Sequence, residues 1–365
     1  MKKRELMIFA GQSNMMGASV YAPKESAKSR DSYEYKHNDK RRFGKGAFVP
    51  SAHPAGEFSY VDPALAYGKE YLADNGKSTL TNYSKNTYFC PSMSNLCSEE
   101  EKTLCAFKDF SEQTATVGAS LPPLLAAEWE RYGGSCANAH IAKGGVSIRH
   151  FFTRDMGEEY RRRAEDHNRT HGTSLATDPR LEGEQTGAAE YFFEKCKDFL
   201  EEAQERFSDE DTSEHIFVWI QGESDASMQP DEYKLFLTIL WERLKRIGMN
   251  RFFMLRVDLW GACGSMLNVM RAQERFCREN EDAYMMTRAL SFMPYSGDSM
   301  LFTEITDEYR FCRDNAYGFP NPHLNEKAFK LAAERVAANM ERVLHNGEDP
   351  LLEEERLKPL IEEGY

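Results

Sequence analysis

The sequence predicts an α/β fold in three layers: a central parallel sheet, helices on both of its faces, and long loop insertions between the elements. Short, mostly apolar segments at 6–10, 137–147, 215–220 and 251–259 have the length and composition of buried strands. Amphipathic segments with apolar residues at i, i+3 and i+4 alternate with them, and that alternation is the mark of a parallel sheet joined by crossover helices. In such sheets ligands bind beyond the carboxyl ends of the strands. Two of the runs end abruptly in small polar residues, Gly11-Gln12-Ser13-Asn14-Met15 after the first and Gln221-Gly222-Glu223-Ser224-Asp225 after the third.

Each element follows from local chemistry. Leu6-Met7-Ile8-Phe9-Ala10 is a buried strand that opens at Gly11 into a loop and helix. Residues 21–60 are rich in Lys, Arg, Ser, Tyr and Pro without a period, and are expected to run over the carboxyl edge of the sheet, where long loops shape pockets. Tyr33, Tyr35, Phe43 and Phe48 within them suit either stacking on sugar rings or packing the loop down. Another insertion is expected near 75–115. Leu121-Pro122-Pro123 places prolines in the first turn of a helix. The next strand ends in Gly144-Gly145, which suits either an ordinary tight turn or backbone N–H groups turned toward a ligand.

Residues 149–188, charged and poor in aliphatics, are expected as a further insertion. Helices are predicted at 189–207, where Phe192, Phe193, Cys196, Phe199, Leu200 and Ala203 share a face, and at 233–247 and 265–280. Strands are predicted at 251–259 and 283–290. Pro320-Asn321-Pro322 then interrupts the chain, and Leu324, Ala328, Leu331, Ala332, Val336 and Met340 keep helical spacing, which puts His323 at the head of a terminal helix. Residues 1–345 are thus expected to form one domain, with 346–365 an acidic surface appendage.

Composition narrows the function. A chain of 365 residues can bury a large core, and its net charge of −13 argues against nucleic acid or an anionic membrane as partner, since both need basic surface. Lys40-Arg41-Arg42 and Arg161-Arg162-Arg163 are read as solvated faces. No run is long enough to cross a bilayer, and the apolar stretch after Lys2, Lys3 and Arg4 is too short for a signal peptide, so a cytoplasmic protein is expected. Cys136, Cys196, Cys263, Cys277 and Cys312 fall in apolar segments as buried thiols do. Cys90, Cys97 and Cys105 lie closer together but lack the C-x-x-C spacing of a zinc site.

A serine at a strand's carboxyl end can be a nucleophile when a base reaches its hydroxyl, or it can merely cap the next helix. The pattern around Ser13 goes further. Gly11-Gln12-Ser13-Asn14-Met15 resembles the first block of the SGNH hydrolases, in the branch of the sialate O-acetylesterases and carbohydrate esterase family six. Lys143-Gly144-Gly145-Val146-Ser147 is similar to the second block and Trp219-Ile220-Gln221-Gly222-Glu223-Ser224-Asp225 to the third. The resemblance implies a flavodoxin-like sheet and hydrolysis of an O-acetyl ester on a small or oligosaccharide sugar, with no metal or organic cofactor. It implies Ser13 as nucleophile, His323 as base, and oxyanion donors at the Ser13 N–H, the Gly145 N–H (Gly144 being the near alternative) and the Gln221 amide. Gln12, Asn14 and Asp225 are expected to contact substrate.

One departure stands out. Many SGNH hydrolases carry Asp three residues before the catalytic His, whereas this chain has Pro320. Glu223 is the first choice for the group that orients His323, with Asp225, Asp314 or a backbone carbonyl as alternatives and His150 as a reserve base. His140 and His215, in or beside strands, are expected in core or strand-end roles. Two competing readings remain: an α/β-hydrolase elbow built on Gly222-Glu223-Ser224-Asp225-Ala226 with Asp258 and His323 downstream, and a carbohydrate-binding protein without turnover.

Overall fold

The computed structural model describes residues 2–16, 81–82, 87–90, 121–142, 145–181, 183, 187–257, 266–293, 324 and 326–353. Among these, seven strands form one sheet: β1 (Glu5–Gly11), β2 (Thr81–Asn82), β3 (Thr87–Cys90), β4 (Cys136–Ala142), β5 (His215–Ile220), β6 (Arg251–Leu255) and β7 (Ala283–Thr287), in the order β2-β3-β4-β1-β5-β6-β7. All neighbours pair parallel except β2 with β3. The predicted parallel α/β architecture is therefore the observed one.

β1 sits at the centre, hydrogen-bonded to β4 on one side and β5 on the other. From β1 the chain leaves for one edge, returns through β4, and then builds outward on the opposite side. The order reverses at β1, so the carboxyl ends of β4, β1 and β5 flank the crevice that such a reversal opens.

Side chains alternate between two cores, as pleating requires. Leu6, Ile8 and Ala10 of β1, Phe217 and Trp219 of β5, and Phe252 and Met254 of β6 face one layer. Met7 and Phe9, Ile216 and Val218, and Phe253 and Leu255 face the other. The first layer is covered by α3 (Arg154–His171), α4 (Ala188–Arg206), α5 (Pro230–Arg246) and α6 (Met266–Glu279). The second is covered by α2 (Leu121–Arg131) and α7 (Glu326–Met340), which pack on each other. A single helical turn, α1 (Ser13–Met16), follows β1.

Several expectations change. Residues 149–188 hold the 18-residue α3, not only an excursion. Its buried stripe is narrow, Met156, Tyr160 and Ala164 at i, i+4, i+8, and Tyr160 stacks on Phe236 of α5 with ring centroids 4.0 Å apart. Arg163 ties the helix to Glu242 at 2.7 Å. Strands β2 and β3 extend the sheet within a segment read only as insertion. The insertion at 21–60 and most of that near 75–115 lie outside the described residues. Part of the acidic tail is docked: Leu351 N–H donates to Asn339 Oδ1 at 2.7 Å, and Glu353 accepts from Thr287 Oγ1 at 2.6 Å and Arg288 N–H at 2.8 Å. No helix among the described residues is long and apolar enough to cross a membrane.

Candidate active site

The site begins with a glycine. Gly11 ends β1 at φ +148°, and a Cβ there would lie 1.8 Å from the Ile220 carbonyl oxygen, so only glycine allows β1 to approach β5 this closely before it turns. Gln12 N–H still donates to Ile220 O at 3.1 Å, which holds the turn to the end of β5. Ser13, half-buried, then opens α1. On the opposite face of that turn, His140 of β4 lies 2.8 Å from the Met15 carbonyl through Nε2. A carbonyl only accepts, so Nε2 carries the proton. Burial drives the His140 pKa down to about 4 against the opposing pull of this bond, so the ring is a neutral prop under α1.

β5 leads into Gln221-Gly222-Glu223. Gly222, at φ +150°, leaves no room for a Cβ, which would meet Val269 Cγ1 at 2.6 Å. The chain turns there into a 3₁₀ helix, Glu223–Asp225. Glu223 Oε1 accepts from Asn14 Nδ2 at 2.7 Å, and Asn14 Oδ1 accepts from the Leu324 backbone N–H at 3.1 Å. Asn14, the residue after Ser13, thus joins the β5 turn to the residue that follows His323 in sequence. His323 itself lies outside the described residues, as do Gly144, Asp258 and Asp314.

The second block approaches from β4. Gly145, exposed at φ +72°, faces open space on its side-chain side. The segment after it is pinned to the β5 turn: Ser147 Oγ donates to Asp225 Oδ1, Ile148 N–H donates to Asp225 Oδ2 at 2.8 Å, and the Val146 carbonyl accepts from Gln221 Nε2 at 3.1 Å. Ser147 also caps the 3₁₀ turn Ile148–Phe151, accepting from Arg149 N–H at 3.2 Å.

Three residues expected to touch substrate are buried and hydrogen-bonded within the protein. Asp225 is 1% exposed and receives donors from Ser147, Ile148 and Gln221. Burial raises its pKa to about 6, against those hydrogen bonds. Gln12 is buried and its Oε1 accepts from Ser224 N–H and Gln221 Nε2. Asn14 is committed to Glu223 and Leu324. The Gln221 amide, expected to face an oxyanion, is 0% exposed; its Nε2 is within bonding distance of Val146 O, Asp225 Oδ2 and Gln12 Oε1, and its Oε1 accepts from Tyr233 Oη at 2.8 Å. In this structure it is scaffold: both amide protons are already aimed at protein acceptors.

Sequence reading missed the outer supports. Tyr233 Oη on α5 also lies 2.9 Å from the Gln221 carbonyl, so its one proton is shared between the two Gln221 oxygens, and burial, then the Asp225 charge, pushes its pKa well up. Gln273 on α6 bridges the ends of β5 and β6, its Oε1 accepting from Val257 N–H at 2.9 Å and its Nε2 donating to Gln221 O at 2.9 Å. Their signal was a polar group inside an apolar helix stripe, where a buried partner is obligatory.

His167 and His171, read as loop residues, lie instead in α3. His215, at the amino end of β5, bonds Gly248 O at 2.7 Å, far along the sheet from Ser13. His150 is buried in the 3₁₀ turn, edge-on to Phe151. Ser224 is exposed on its turn, and α5 begins only at Pro230, so the abrupt strand-to-helix junction of an α/β-hydrolase elbow is not formed. Among the described residues no group of three or more His, Cys, Asp or Glu is placed to hold a metal.

No family model and no curated protein matches the chain. Among solved structures it is similar to XAC1771, a carbohydrate acetylesterase from Xanthomonas citri, with TM-score 0.40 and 10% identity over 94% of this chain and 57% of that one. It is also similar to NanS, with TM-score 0.43 and 10% identity over 94% of this chain and 98% of that one. The chain spans little more than half the length of the first of these.

Proposed function

We propose that the chain is a carbohydrate O-acetylesterase working through a serine acyl-enzyme. Ser13 Oγ attacks the acetyl carbonyl while His323 takes its proton; the tetrahedral adduct collapses as His323 returns that proton to the departing sugar oxygen. Water, activated by His323, then releases acetate and restores Ser13. Glu223 orients the imidazole, and the N–H groups of Ser13 and Gly145 receive the oxyanion. The route uses no metal or organic cofactor, and a sialic acid or a xylose-type sugar are the two substrate classes to compare.

The observation that carries this reading is the pair of hydrogen bonds made by the Asn14 side chain. One carboxamide beside Ser13 holds the proposed orienting carboxylate, Glu223, and the backbone next in sequence to the proposed base. A nucleophile at the head of the chain can use a histidine near its tail only if the fold ties the two regions together, and this bond is such a tie.

The test is acetate release from acetylated sialic acid and acetylated xylo-oligosaccharides by wild type, Ser13→Ala, His323→Ala and Ser224→Ala. The first two variants are expected to lose at least about 10³-fold in turnover and Ser224→Ala to stay near wild type. Loss in Ser224→Ala with retention in Ser13→Ala reverses the assignment. Binding of acetylated sugar without release of acetate by wild type replaces the enzyme with a binding protein.

A further inference from the structure

We infer that Asp225 is a positioning residue that clamps the Gly145–Ser147 loop to the β5 turn and so sets where the Gly145 N–H stands relative to Ser13. The inference rests on the esterase reading above, because it concerns the oxyanion side of that reaction. It adds a role for Asp225 and Ser147 that neither the sequence motifs nor the proposed chemistry supply.

The geometry is specific. Both Asp225 carboxylate oxygens are used on the loop after Gly145, one by the Ser147 hydroxyl and the other by the Ile148 N–H, and Asp225 is 1% exposed. An ionised carboxylate only accepts, and every group aimed at it here is a donor. The Gln221 amide adds a third donor and at the same time holds Val146 O, so the stretch Val146-Ser147-Ile148 is held at three consecutive residues. Gln221 is itself oriented from behind by the Tyr233 hydroxyl. The anchored residues therefore begin immediately after Gly145, where a Cβ would meet nothing within 4 Å. A glycine whose side-chain position faces open space cannot fix its own N–H direction; the bonds at Val146, Ser147 and Ile148 do.

Burying a carboxylate is costly unless its lone pairs are satisfied, and the three donors to Asp225 offset only part of that cost, its pKa remaining raised. A surface turn needs no such group. Its placement between the second and third motif loops is what a preorganised oxyanion site requires, since a shift of about 1 Å at such a donor lowers turnover roughly 10²-fold.

The experiment compares wild type, Asp225→Ala, Asp225→Asn, Ser147→Ala, Ser147→Thr and the double Ser147→Ala/Asp225→Ala variant, using 4-nitrophenyl acetate for kcat and KM and amide hydrogen exchange over residues 145–151. Asp225→Ala is expected to lower kcat about 10- to 100-fold with KM within threefold, and to speed exchange at Ile148 at least about tenfold. Ser147→Ala is expected to lose less, Ser147→Thr to recover most of that loss, and the double variant to be no worse than Asp225→Ala alone. Unchanged kcat or unchanged exchange in the Asp225 variants overturns the inference, as does an additive double variant. Should Asp225→Ala not fold, Asp225→Asn and the Ser147 pair decide: kcat within twofold of wild type in both Asp225→Asn and Ser147→Ala overturns it. Ser13→Ala separates the two levels. If it releases nitrophenol as fast as wild type, the esterase reading fails and the inference with it; if it is inactive while the clamp variants are unimpaired, only the inference fails.

Discussion

The carboxamide of Asn14 accepts the Leu324 N–H at 3.1 Å and donates to Glu223 Oε1 at 2.7 Å, in a pocket where Asn14 is 2% exposed. Three regions more than 100 residues apart in sequence meet at this one side chain. Asn14→Ala removes both bonds and leaves buried groups to find new partners, at a cost of about 2–4 kcal/mol by chemical denaturation. Asn14→Asp keeps the acceptor for Leu324 but sets a second carboxylate against Glu223, and is expected to be the less stable of the two near neutral pH. Equal stability of the two variants rules out the Glu223 contact as a significant interaction.

Gln221 offers a sharp distinction between scaffold and oxyanion donor. As scaffold, its replacement by Ala leaves Asp225, Tyr233 and Val146 short of partners and lowers stability by about 2–4 kcal/mol. A pure oxyanion donor would instead lose turnover while the unfolding midpoint stayed where it was. Denaturation midpoints and kcat for Gln221→Ala, read together, separate these outcomes.

Two buried groups set opposing pH dependences in the same window. Asp225 titrates at about 6 in the fold, above its ordinary 3.8, so the folded state holds the proton more tightly and its stability rises as pH falls from about 6 toward 4. His140 titrates at about 4, below its ordinary 6.5, so the fold binds the proton less tightly and stability falls as pH drops from about 6.5 toward 4. Each effect is about 3 kcal/mol, and they nearly cancel. Asp225→Asn removes the first and is expected to make the protein markedly more acid-sensitive between pH 6 and 4, whereas His140→Gln tilts the profile the other way. Thermal melts across pH 4–7 check the sign, and parallel profiles for both variants and wild type contradict it.

Gly11→Ala is expected to be the most damaging single methyl addition in the site. The left-handed backbone and the 1.8 Å approach to Ile220 O combine strain with steric overlap against a backbone atom that cannot move without breaking the β1–β5 ladder. A loss of at least about 3 kcal/mol, or failure to accumulate as soluble protein, is the expected result; a melting temperature within a few degrees of wild type contradicts it.

Glu353 holds the carboxyl end of β7. It accepts from Thr287 Oγ1 and Arg288 N–H and pairs with Arg335 Nε at 3.3 Å. Glu353→Ala is expected to lower stability by about 1–3 kcal/mol, and a chain ended after residue 346 by at least as much. No change on truncation would return these residues to the status of an appendage.

The sheet was legible in the sequence because its strands are apolar on both faces, and β1, β4, β5, β6 and β7 all fall on predicted runs. The motif loops were legible because each breaks such a run with small polar residues. What the residues around Ser13 do was not. Gln12, Asn14 and Asp225 are polar groups at a ligand edge, which from sequence alone suits contact with substrate, yet each is hydrogen-bonded to partners as much as 77 to 310 positions away. Long-range pairing of this kind leaves no local period to read. α3 escaped notice for a related reason: four buried positions in eighteen residues, one of them a glycine, give too thin a stripe against so many charges. Tyr233 and Gln273 were hidden in helix faces whose neighbours are apolar.

The position of β1 sets the order in which this molecule can be made. Among the described strands β1 is the earliest in sequence and also the innermost, and its seven residues are buried throughout in the finished fold. During synthesis Leu6, Met7, Ile8 and Phe9 have no neighbours until Ala142 has been added on one side and Ile220 on the other. Until β5 has been made, one edge of a strand that is buried on both faces lacks that partner, which is a hazard for aggregation and an invitation to holding chaperones. A circular permutant that begins at β4 would shorten that wait, and its yield on expression would show how much the native order costs the cell.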